Sequence, residues 1–245
     1  MFDISCVPFS RYGSYLVFSI LPGIRKFFTG KPGLYLRVLH GDARKGEVFL
    51  VEPIDDGGNP LCYTTETSPE LLRLTTSTGS LEICMPDEKT VRMRGKGVGV
   101  RLSRGSTVVV PQGDHTWLLN IFECRTRFAL TALSGKVNVP APWTGVDCTQ
   151  LEVLGRPDES GTFEIVLEEC LVGWHPREHT DSFDACVAGV RQEFTDFLNR
   201  CPSVPEQLAE ARRLAAYVNW SAVVASDGLI KRPAMYMSKN WITNV

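Results

Sequence analysis

The sequence holds eight cysteines, at 6, 62, 84, 124, 148, 170, 186 and 201, but no two of them are close; the nearest, Cys186 and Cys201, are fifteen residues apart. Cys-x-x-Cys spacing is thus missing, which excludes the common zinc-ribbon and dithiol redox arrangements. Runs of one charge are missing too. The 26 Lys and Arg and the 28 Asp and Glu are scattered, the formal net charge is −2, and the electrostatic footprint of a nucleic-acid binder is absent. No apolar run reaches the length of a membrane helix. The opening stretch "MFDISCVPFSRYGSYLVFSILPG" lacks a basic start and carries Asp3 and Arg11, so it reads as strands rather than as a secretory leader. Thiols such as Cys84, set between Ile83 and Met85, read as small buried hydrophobes. Together these features predict reduced cysteines and a cytoplasmic protein, in which the Asn219-Trp220-Ser221 sequon has no role.

What is present is alternation. Apolar residues make up 43% and charged residues 22% of the 245, an ordinary globular balance. "SLEICM" puts Leu81, Ile83 and Met85 on one face, against Ser80 and Glu82 on the other. "TVRMR", "VGVRLSR" and "TFEIVLE" repeat the pattern, and period two sends successive side chains to opposite faces of a strand. "YLVFSIL", "LYLRVLH", "EVFLVEP", "STVVV", "TWLLNIF" and "RFALTAL" add strands, some apolar on both faces. About a dozen short strands punctuated by glycine predict a large antiparallel β-sandwich, or supersandwich, over residues 1–172.

After "GWHPREH" the period changes. Phe183, Val187, Val190, Phe194, Phe197 and Leu198 recur at three- and four-residue spacing, the stripe of one amphipathic helix. The linker and this first helix are assigned to 173–202. Ser203-Val204-Pro205-Glu206 has capping-box spacing and opens a second helix through Leu208, Ala211, Ala215, Val218 and Ala222, with Asp227-Gly228 as its stop. That helix and the segment beyond it occupy 203–245. The expected architecture is a mainly β sandwich followed by an αα-hairpin.

Motifs that carry chemistry are scarce. "HPREH" has the spacing of an inverted zinc-peptidase motif at His175, Glu178 and His179, but Pro176 and its place in a linker deny it the helix that the metal geometry needs. "RGKGVGVRLSRG" has the glycines and bases of a phosphate loop without its strand-turn-helix setting, and reads as a β-hairpin. The four His form no recognisable nucleophile–base arrangement, and the pairs Asp55/Asp56 and Glu168/Glu169 read as solvated neighbours. Neither a metal nor a cofactor is expected.

The end of the chain is different. "AAYVNWSAVVASDGLIKRPAMYMSKNWITNV", residues 215–245, resembles the entry into the catalytic domain of glycoside hydrolase family 63 and of related trehalase-like glycosidases with an (α/α)6 barrel. The resemblance rests on "YVNWS" with Trp220, "SDGLI", "KRPAMYMSK" and Trp241, about thirty residues in all. The arrangement of a sandwich joined through helices to a barrel is similar to that family as well. The resemblance implies that the αα-hairpin begins such a barrel and that the parent is an inverting glycosidase acting on α-linked glucosides or related sugars. In that reaction one carboxylic acid protonates the leaving oxygen while a second carboxylate, roughly 6.5–9.5 Å away, activates water. In the family both acids lie further along the chain, so the resemblance assigns no catalytic residue here and implies that these 245 residues alone are inactive. It places Tyr236, Lys239, Asn240 and Trp241 on the sugar-binding side: the aromatic rings suit stacking on a pyranose, and Lys239 and Asn240 are donors for hydroxyls. Packing at the sandwich–barrel seam is the competing role for Tyr236 and Trp241, and Trp220 reads as core.

The expected partners are a carbohydrate, the remainder of the barrel and, through exposed helix surface, a second copy of the chain. Two other readings stay open. One is a stand-alone carbohydrate-binding sandwich with Trp143 of "PAPWTG" on a loop; the other is an interaction module that docks through its helical hairpin.

Overall fold

The computed structural model describes residues 1–21, 31–40, 46–143, 145, 148, 150–227 and 230–236. It is mainly β, and the predicted sandwich followed by two helices is what forms. One antiparallel sheet runs β1 (Leu16–Leu21), β2 (Gly33–Val38), β3 (Glu47–Ile54), β8 (Gly99–Arg104), β13 (Leu151–Arg156) and β12 (Lys136–Asn138). The other runs β4 (Thr64–Thr67), β5 (Leu72–Thr75), β6 (Ser80–Asp87), β7 (Thr90–Lys96), β14 (Thr162–Glu169), β11 (Thr126–Ser134), β10 (Thr116–Ile121) and β9 (Val108–Pro111). Their inner faces share one core. Phe18, Leu36, Phe49, Val100 and Val153 from the first sheet meet Leu81, Met93, Phe128, Ile165 and Leu167 from the second.

One local reading is corrected. "RGKGVGVRLSRG" is not a hairpin: β7 pairs with β6 and β14, whereas β8 pairs with β3 and β13, so the chain crosses from one sheet to the other between them. The crossing turns at Gly97, whose φ of +66° favours glycine and where an added Cβ would lie 2.7 Å from the Thr78 carbonyl oxygen. Alternation cannot tell a hairpin from such an arch, because both need a glycine turn between two strands. The outer face of β6 is covered as well: Cys84 is buried, as its apolar neighbours predict, and so is Glu82.

Cys84 lies under α1 (Phe183–Arg200), and Glu82 is enclosed by Arg73, Arg94 and Lys96. Ser182 caps the helix, its hydroxyl accepting from the Ala185 N–H at 3.1 Å. Phe183, Val187, Val190 and Phe194 form the predicted stripe and pack over Cys84 together with Ala216, Tyr217 and Trp220 of α2 (Ala209–Ala222). Burying each such side chain stabilises by about 1.5–3 kcal/mol, so the stripe is what holds α1 on the sheet. Arg94 reaches up from β7 to lie 4.2 Å from the centre of the Phe183 ring.

The second helix differs from its reading at both ends and in its face. Glu206–Leu208 is a 3-10 turn, no side chain caps α2, and the helix ends at Ala222, before Asp227. The buried residues are Ala216, Tyr217, Trp220, Ser221 and Ala222, while Leu208, Ala211 and Ala215 of the expected stripe are exposed. The aromatics bring more area to the α1 seam than alanines can, and they turn the helix accordingly.

Candidate functional site

After Ala222 the chain reverses through β15 (Val223–Val224), which pairs with β16 (Ala234–Met235). This segment is stitched to the sandwich at Gly13. The Gly13 N–H donates to the Val223 carbonyl at 3.0 Å, and the Ala225 N–H donates to the Gly13 carbonyl at 2.8 Å. Antiparallel pairing brings to this same end the residues just before β1, just after β2 and at the close of β14. Tyr15, His40 and Glu169 thereby meet Asp227 of the returning segment around a small cavity of about 100 Å³, with Glu88 and Lys89 on its wall. Ligand clefts usually exceed about 300 Å³, so this space admits a hydroxyl or water but not a whole sugar ring.

The cluster is polar and ordered. Glu169 is buried; its Oε1 accepts from the Thr126 hydroxyl at 2.6 Å, and its Oε2 lies 3.2 Å from His40 Nε2. The other imidazole nitrogen, Nδ1, stands 3.8 Å from Asp227 Oδ2. The Tyr15 ring stacks on the imidazole with centroids 4.1 Å apart, and its hydroxyl donates to the Ala225 carbonyl at 3.0 Å. Burial, assisted by the Asp227 charge, pushes the Tyr15 hydroxyl above the ordinary tyrosine range, so it remains a donor at neutral pH.

Of the four residues assigned to sugar binding, Tyr236 is placed. It is half-buried, packs with Ile230 against Tyr15, Val17, Leu39 and Val224, and its N–H donates to the Ala222 carbonyl at 2.8 Å. Lys239, Asn240 and Trp241 lie outside the described residues. Trp220 is core, meeting Phe194 edge-on at 5.6 Å. Trp143 is 56% exposed. The reading of Glu168 and Glu169 as a solvated pair is corrected: they do diverge, Glu168 toward Arg177, but Glu169 turns into the buried cluster. Tyr15, His40 and Glu169 carried no sequence signal, because they are far apart along the chain and meet only through sheet pairing. The eight cysteines are free thiols. Among the described residues no group of His, Cys, Asp and Glu is arranged to hold a metal ion, and no helix is long and apolar enough to cross a membrane.

Two larger open grooves flank the helices. One, of about 620 Å³, is lined by Tyr12, Phe197, Pro202 and Trp220; the other, of about 340 Å³, by Phe2, Val7, Leu214 and Tyr217.

No protein-family model and no curated protein matches the sequence. Among solved structures, a family GH92 inverting mannosidase from Bacteroides thetaiotaomicron superposes with a TM-score of 0.62 over 94% of this chain and 38% of its own, at 11% identity. That likeness establishes the fold. A bacterial glucoamylase complexed with acarbose matches 96% of this chain and 39% of its own, with a TM-score of 0.45 and 12% identity. The chain thus spans about two fifths of the length of either protein.

Proposed function

We propose that this chain is the N-terminal sandwich and first helical pair of an inverting glycoside hydrolase that cleaves α-linked hexosides, glucosides above all. The superposition on an inverting mannosidase over 94% of the chain carries the reading. The resemblance of residues 215–245 to the family 63 and trehalase-like barrel entry supports it and favours glucosides over mannosides. In this proposal the sandwich is a scaffold. Its C-terminal segment, anchored at Gly13, presents Tyr236, Lys239, Asn240 and Trp241 toward the sugar, and the general acid and base come from the barrel. The exposed side of α2, with Leu208, Ala211 and Ala215, is where further barrel helices pack, and it makes the chain by itself prone to self-association. The protein works in the cytoplasm without a cofactor.

The test is to assay the longer parent and the 245-residue chain on aryl α-glucosides and α-mannosides, following the released anomer by proton NMR. The expected result is an inverted product from the parent and no turnover by the chain. A retained anomer, or no hydrolysis of any α-hexoside by the parent, overturns the reading.

A second reading, a carbohydrate-binding sandwich without catalysis, is favoured by the exposed Trp143. It requires the chain itself to bind oligosaccharide in a titration and Trp143→Ala to abolish that binding.

A further inference from the structure

The cluster around His40 joins two parts of the molecule. Glu169, on β14, belongs to the sandwich body; Asp227 belongs to the returning segment that carries β15 and β16. The two contacts differ in kind. Glu169 Oε2 is at hydrogen-bond distance from Nε2, 3.2 Å, and its side chain is 2% exposed. Asp227 Oδ2 is 3.8 Å from Nδ1, beyond hydrogen-bond reach, and its side chain is 40% exposed. A neutral imidazole carries one N–H and one lone pair, whereas an imidazolium carries two N–H groups and a positive charge. Only the charged ring can attract both carboxylates.

We propose that His40 is a proton-operated clamp that holds the β15–β16 pair on the end of the sandwich. With the ring charged, Glu169 accepts from one nitrogen and Asp227 is drawn to the other. On deprotonation the remaining N–H stays with Glu169, which is already at hydrogen-bond distance and far less exposed than Asp227. Asp227 then faces a lone pair and turns to solvent. The clamp is complete while the ring is charged and loses its Asp227 arm when the ring is neutral. The other charged and titratable groups facing the ring are Glu88 and Lys89 from the β6–β7 turn and Tyr15 ahead of β1, with Tyr236 beside Tyr15. Arg37, on β2 itself, interacts with Glu47. Among these, Glu88 favours the charged ring and Lys89 opposes it. The clamp requires no sugar, so it stands or falls apart from the glycosidase reading.

Amide hydrogen exchange on the intact chain tests it, with rates corrected for the intrinsic effect of pH. The probes are the Ala225 N–H, bonded to Gly13, and the Tyr236 N–H, bonded to Ala222. Protection of both is expected to be about two- to fivefold higher at pH 5.5 than at pH 7.5, the size of an ion pair with one solvent-facing partner, while Ile165 in the core shows no change. Asp227→Asn keeps the shape, removes the charge and flattens the difference. His40→Gln does the same from the other side. Equal protection at both pH values in the unaltered chain overturns the proposal, and so does an undiminished pH difference in Asp227→Asn.

Discussion

The Tyr217 phenol, on α2, hydrogen-bonds the backbone of Ser10, 207 residues away in sequence. Its oxygen accepts from the Ser10 N–H at 3.1 Å, and its proton is shared between the carbonyls of Pro8 at 3.1 Å and Ser10 at 3.2 Å. The ring stacks on Phe2 with centroids 4.1 Å apart. One side chain therefore fastens the helical pair to the opening strand region, and burial pushes its hydroxyl far above the ordinary range, so it remains protonated at any working pH. Tyr217→Phe keeps the ring and strands a buried N–H and carbonyl. It is expected to lower unfolding free energy by about 1–3 kcal/mol in urea denaturation. An unchanged midpoint would show that water replaces the phenol there.

Glu82 predicts an acid-sensitive term. Burial works against its ionised form, but hydrogen bonds from Arg94 and Arg73, with the charges of Arg94 and Lys96, outweigh it and hold the carboxyl below the usual range. A depressed folded value means that the stabilisation is present above the unfolded value, about 4.3, and is lost as pH falls through the folded one. The stability gap between the unaltered chain and Glu82→Gln is expected to be flat from about pH 6 to 8 and to shrink below about pH 4. A gap that widens toward acid would contradict the sign.

Close packing at the far end of the sandwich predicts an intolerant glycine. A methyl at Gly95 would overlap the Phe163 ring and the Val98 carbonyl. Gly95→Ala is expected to cost about 1–3 kcal/mol, as overpacking does, and Phe163→Leu in the same chain to recover part of it. Strict additivity of the two changes in thermal unfolding would mean that they do not touch.

The exposed side of α2 predicts association. Leu208 and Leu214 are 50% and 42% exposed, next to Ala211 and Ala215. Sedimentation of the chain alone should depend on concentration, and Leu208→Glu with Leu214→Glu should remove that dependence. A monomer at every concentration counts against this surface as an interface.

Much of the fold could be read directly from the residues. Phe163, Ile165 and Leu167 alternate because only one face of β14 meets the core, and Phe183, Val187, Val190 and Phe194 recur every three or four because one stripe of α1 meets the sheet. The buried face of α2 differs from the expected one because Leu208, Ala211 and Ala215 have helical spacing as good as that of Ala216, Tyr217 and Trp220. Spacing reports that a face exists and not which one finds a partner. The candidate site was the least legible part: Tyr236 stood in a recognisable segment, but Tyr15, His40 and Glu169 sit in unrelated strands.

By itself the sequence determined the local periods, and with them the strands, the helices and the order in which they come, because side-chain direction follows backbone geometry within a few residues. Tertiary structure alone decided which strands share a sheet, that the chain crosses sheets at Gly97, and that His40 stands between Glu169 and Asp227. Those depend on long-range pairing, where residues distant in sequence are chosen by the free energy of burial, and no local pattern records that choice.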